Sequence, residues 1–90
     1  MPITVLTRKL LKRPIDDAVL LLSGKLFSRL GGNLLLVESF DGADGSNVRI
    51  VVREKNDSII DTILRTIGEV EDALGVVGLI FPDIVTPDEL

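Results

Sequence analysis

Apolar and polar positions along this chain fall into blocks of two different periods, and each change of period marks an element. From Pro14 to Leu30, Ile15, Ala18, Val19, Leu22, Leu26, Phe27 and Leu30 recur at three- and four-residue spacings, the stripe of an amphipathic helix. Pro14 suits the first turn, where its missing N–H would have no partner, and Asp16 and Asp17 suit the positive end of the helix dipole. Gly31 predicts a left-handed stop, with Gly32 and Asn33 completing the turn. The period then shortens to two. Asn33 to Phe40 and Val48 to Glu54 read as strands, the second alternating Val48, Ile50 and Val52 with Arg49, Val51 and Arg53. Between them Asp41-Gly-Ala-Asp-Gly-Ser-Asn47 is a loop of turn formers.

Lys55-Asn-Asp57 breaks the second strand, and Asn56 or Asp57 is placed to cap a second helix over Ser58 to Leu74. Ile59, Ile60, Ile63, Leu64, Ile67, Val70 and Leu74 form its apolar face, and Gly75 ends it. Val76 to Val85 predicts a last strand, and residues 86–90 a frayed tail. Before the first helix, Ile3, Val5 and Thr7 alternate with Thr4, Leu6 and Arg8. That pattern favours a strand over Ile3 to Leu11, with a short helix starting at Pro2 as its competitor.

The order is βαββαβ in a single domain, residues 1–90. It predicts an α+β, ferredoxin-like sandwich, with a four-stranded antiparallel sheet in spatial order 4-1-3-2 and two helices on one face. With Val48, Ile50 and Val52 facing the helices, Val51 faces away. Strict alternation that keeps Glu38 out of the core turns Leu35 and Val37 inward and Leu34 and Leu36 outward. The last strand is apolar on both faces. Leu34, Leu36, Val51 and Leu79 are therefore the expected interface of a homo-oligomer, unless the C-terminal tail folds back over them.

Composition narrows the chemistry. The chain has no Cys and no His, so it lacks a thiol nucleophile, a thiolate metal site and the usual neutral-pH base. Trp and Tyr are absent and Phe occurs three times, which leaves no stacking platform for bases. Gln is absent too, a composition that leans towards a thermophilic source. Net charge is −4, divided as +4 over residues 1–30, −1 over 31–55 and −7 over 56–90. An acidic second half opposes nucleic-acid binding. Arg8, Lys9, Lys12 and Arg13 precede the apolar run Ala18 to Leu22 as in a leader peptide, but Asp16 and Asp17 intervene and the run is short. No apolar run approaches the roughly 18 residues that span a bilayer. The expectation is a cytoplasmic protein that contacts neither membrane nor nucleic acid.

The acidic loop spaces Asp41, Asp44 and Asn47 three apart, unlike a calcium loop, so no metal is expected. Asp16-Asp17 and Glu71-Asp72 read as a dipole partner and a solvated face, and the serines have no His base. The expectation is a non-enzymatic protein without cofactor.

The segment LFSRLGGNLLLVES, preceded by a proline-containing connection and followed by VRIVVRE, resembles ACT regulatory domains over roughly residues 3–68. Lys12-Arg-Pro-Ile15 stands where that family's loop usually reads Asp-x-Pro-Gly. The second half also looks like Lrp-type effector domains and the small chaperones that bind twin-arginine signal peptides. The ACT resemblance implies a regulatory, ligand-sensing module that self-associates, with a small anionic ligand near Lys12, Arg13, Gly31, Gly32 and Asn33. The alternative is a protein- or peptide-binding module that uses a sheet edge or the free sheet face.

Overall fold

The computed structural model describes residues 13–90. The strand expected over Ile3 to Leu11, and Lys12 with it, lie outside the described residues. Helix α1 occupies Pro14–Leu30, the span its spacing predicts, and leads through a 3-10 turn at Gly31–Asn33 into strand β1, Leu34–Ser39. Strand β2 is Val48–Val52, helix α2 is Asp57–Leu74, strand β3 is Pro82–Val85, and a 3-10 turn at Pro87–Glu89 closes the chain.

Both helices bury their stripes in one cluster with the same face of β2. Ala18, Leu22 and Leu26 come from α1, Ile63, Ile67 and Val70 from α2, and Val48, Ile50 and Val52 from β2. Truncating any of the fully buried isoleucines or leucines to Ala costs about 2–5 kcal/mol on the usual scale for core residues. The caps are local. Asn56 accepts the Ile59 N–H at 2.9 Å to open α2, and Gly75, at φ 68°, closes it. Where the helices meet, Arg29 of α1 grips the Glu69 carboxylate with two bonds of 2.6 and 2.7 Å. The same guanidinium donates to the buried Thr66 hydroxyl at 2.8 Å.

The expected four-stranded antiparallel sheet is not what forms. The described residues make a three-stranded mixed sheet in the order β1-β2-β3, with β1 antiparallel and β3 parallel to β2. The α+β class stands, but the ferredoxin-like 4-1-3-2 order does not. In that order another strand separates β2 from the last strand. Here Val48 pairs with Pro82, Ile50 with Ile84 and Val51 with Val85 directly. The parallel sense follows from α2, which carries the chain back to the end where β2 began.

Two local features differ from the sequence pattern. Leu34 pairs with Val52 and Leu36 with Val51, so Leu35 is an extra residue in β1, a β-bulge. The bulge changes the parity of the strand. Leu34 and Val37 both pack against the core, while Leu35 and Leu36 are exposed. The last strand is also shorter than Val76 to Val85. Gly75 and Gly78 turn the chain at positive φ, and the Glu71 carboxylate accepts the Leu79 and Ile80 N–H groups at 2.7 and 2.9 Å. Asn47 adds bonds to the Leu79 carbonyl and from the Phe81 N–H, both 2.8 Å. With those backbone groups engaged elsewhere, pairing with β2 begins only at Pro82. Beside the segment expected to fray, Lys55 donates to the Glu89 carboxylate at 2.9 Å and to the Ile84 carbonyl at 3.2 Å.

Candidate functional site

The residues expected around a small anion sit at opposite ends of α1. Arg13 precedes its first turn. There the Arg13 N–H donates to Asp16 Oδ2 at 3.1 Å, and its guanidinium lies 3.5 Å from Oδ1 of the same carboxylate. Gly31, Gly32 and Asn33 follow the last turn, about 25 Å away for a helix of this length. Their polar groups hold the hairpin together. Asn33 Nδ2 donates to the Glu54 carbonyl at 3.1 Å and Asn33 Oδ1 accepts the Glu54 N–H at 2.9 Å. The Gly32 carbonyl accepts from Arg53 Nε at 2.9 Å. One copy of the chain therefore does not bring the two groups to one ligand. Arg13 borders an open pocket of about 380 Å³ with Ile15, Ser39, Phe40, Asp41 and Asn47, whose Asp41 faces any incoming anion with like charge.

The residues expected at an interface are dispersed as well. Val51 is only 3% exposed, and Leu34 and Leu79 are half-buried against the core. Leu36 alone of the four is freely accessible, at 43%. On the side of the sheet away from the helices, Arg49 lies between Asp83 at 3.3 Å and the Phe40 ring, 4.3 Å from its centroid.

A surface that the periodicity did not single out is the outer face of α1. Leu20 is 73% exposed and Phe27 68%, and Gly24 lies between them. Periodicity had placed Phe27 on the core stripe. In the fold that stripe is completed by Leu22 and Leu26, and Phe27 is left a quarter-turn outside it. A Cβ built on Gly24 meets nothing within 4 Å, so no close approach inside the chain calls for glycine there. Beside it runs a shallow groove of about 510 Å³ lined by Asp17, Leu20, Leu21, Gly24, Lys25 and Ser28. The signal in the sequence was that α1 carries apolar residues on two opposite sides, whereas α2 is apolar on one side.

The ionisable groups act as fold ties. Hydrogen bonding from Arg29 holds the Glu69 carboxyl below its ordinary value, and the Ser46 hydroxyl and N–H do the same for Asp44. The Lys55 ammonium, with Thr86, lowers Glu89 to about 2. Among the described residues no group of three or more acidic side chains is arranged to hold a metal ion, and no helix is long and apolar enough to cross a membrane. Compared with family models, with curated proteins and with solved structures, the chain shows no match.

Proposed function

We propose that this chain is a small non-enzymatic regulatory module that works by self-association. The observation that carries the reading is the outer face of α1, where Leu20 and Phe27 stand largely in water on a well-formed helix. Single exposed apolar residues are ordinary, and two of them on one helix face, two turns apart, are the feature that supports a contact with a partner. A helix apolar on both sides is normally covered on both sides. Sedimentation of the wild-type chain across the micromolar to millimolar range tests the proposal. A weight-average mass that rises with concentration is expected, and a monomer throughout would overturn it.

A second reading, capture of an extended peptide, draws on β1. Its outer edge has no strand partner among the described residues, and Leu35 and Leu36 are exposed beside it. Peptide binding that leaves the mass per particle unchanged would favour this reading over the first. The small-anion role that the ACT resemblance implies would be placed beside Arg13. Calorimetry with amino acids, nucleotides and phosphate tests it, and binding unaltered by Arg13→Ala would remove that assignment.

A further inference from the structure

We infer that Asp41 is the site at which this chain converts spontaneously to isoaspartate, and that Ser46 holds the neighbouring Asp44 back from the same reaction. The chemistry is independent of self-association. In it, the backbone nitrogen after an aspartate attacks the carbon of the protonated side-chain carboxyl. A C–N bond forms, the carboxyl C–O bond breaks, and the hydroxyl leaves as water with the amide proton. Water then opens the resulting succinimide at the backbone carbonyl carbon, so that the chain continues through the side chain with no net change in mass. A side chain on the following residue obstructs the attack, and glycine does not.

Asp41-Gly42 and Asp44-Gly45 are the only Asp-Gly bonds in the chain, and Asn-Gly does not occur. The loop between β1 and β2 requires both glycines. A Cβ on Gly42 would collide with the Ser46 hydroxyl and lie 2.9 Å from the Ser46 carbonyl oxygen, and Gly45 stands at φ 93°. The fold therefore keeps two reactive dipeptides in one exposed turn.

The two attacking amides are restrained alike. Gly42 N–H donates to the Ser46 carbonyl at 2.8 Å, and Gly45 N–H to the Gly42 carbonyl at 3.1 Å. The carboxyls are what differ. Asp44 Oδ1 accepts the Ser46 N–H at 3.0 Å and the Ser46 hydroxyl at 2.6 Å. Those bonds fix the group on Ser46 and hold it below its ordinary value, which favours the ionised form that has no hydroxyl to lose. Asp41 is exposed, and among the described residues its carboxylate takes no hydrogen bond or ion pair. Its conversion would insert a methylene into the backbone beside Phe40, whose N–H donates to the Asn47 carbonyl at 3.0 Å.

The test ages the purified chain at mildly acid pH. Isoaspartate is counted by enzymatic methylation of the new carboxyl and located by peptide mapping with electron-transfer fragmentation. In the folded chain Asp41 should convert about tenfold faster than Asp44, the factor expected when a hydrogen bond to an ionised acceptor must first break. In the whole chain unfolded in urea the two rates should be nearly equal. Ser46→Ala should raise the Asp44 rate towards that of Asp41, with circular dichroism verifying the fold. Equal rates in the folded wild type, or the same disparity in urea, would overturn the inference, and neither result depends on the variant. So would an Asp44 rate that Ser46→Ala leaves unmoved, or no isoaspartate at Asp41 in the time the unfolded chain takes to convert.

Discussion

Glu71 shows how one side chain can decide where a strand begins. In the sequence Glu71-Asp72 reads as a solvated acidic face. In the fold the Glu71 carboxylate is half-buried and accepts two consecutive backbone N–H groups, those of Leu79 and Ile80. Removing an ionised acceptor from two donors costs about 1.5–3 kcal/mol. Glu71→Ala is therefore expected to destabilise the chain by that amount in urea unfolding, with Glu71→Gln milder because one oxygen remains. Hydrogen exchange at the Leu79 and Ile80 amides should accelerate in Glu71→Ala, and unchanged protection there would contradict the assignment. The neighbouring Asp72 is exposed near the negative end of α2, so Asp72→Ala should be neutral or slightly stabilising.

A glycine inside a helix and a glycine that ends one do different things, and Gly68 inside α2 resembles Gly24 inside α1 in having open space around a Cβ. Gly24 lies inside α1 with helical backbone and open space around a Cβ, so Gly24→Ala should stabilise the fold by about 0.5–1 kcal/mol. Gly75 closes α2 at φ 68°, where its N–H reaches the Asp72 and Glu71 carbonyls. A side chain is disfavoured at that backbone angle, so Gly75→Ala should destabilise by about 1 kcal/mol. Chemical denaturation of the two variants, at concentrations where the wild type is monomeric, reads out the opposite signs. Equal signs would mean that one of the two glycines is wrongly placed. The Arg29–Glu69–Thr66 link between the helices adds a further expectation. Arg29→Met keeps much of the aliphatic stem but leaves the buried Thr66 hydroxyl with one partner fewer, and it should cost more than the typical exposed ion pair, about 0–1 kcal/mol.

At the scale of the whole molecule, the carboxyls of Asp44, Glu69 and Glu89 all shift downwards, which fixes the sign of their contribution to the acid response. A carboxyl whose folded value lies below its unfolded value contributes stability above the unfolded value and loses it as pH falls through the folded one. For Glu89 that window runs from its ordinary 4.5 down to about 2, and Glu69 loses its contribution below the same ordinary value. Asp44 follows below its own ordinary value of 3.8. The melting temperature is therefore expected to be flat just above pH 5 and to decline below about pH 4.5. Glu89→Gln should flatten part of the decline and loosen the C-terminal turn. A melting temperature that rises on acidification through this range would contradict the assignment of these groups.

Much of the fold was legible in the sequence because it is set locally. The span of α1, the Asn56 cap and Gly75 stop of α2, and the hairpin loop all depend on residues within a turn or two of each other. Packing decided the rest. The bulge at Leu35 reverses the parity of β1 where it meets Val51 and Val52, and no period-two count along one strand reveals a change made by its neighbour. The last strand begins at Pro82 because Glu71, across the turn after α2, and Asn47, far from it in sequence, take the backbone groups before it. Its direct parallel pairing with β2 depends on which strands become neighbours, a non-local choice that local pattern leaves open. The candidate site divides in the same way. The apolar residues on both sides of α1 are written in the sequence, but only the tertiary fold shows that the core takes up Ala18, Leu22 and Leu26, leaving Leu20 and Phe27 to face outward.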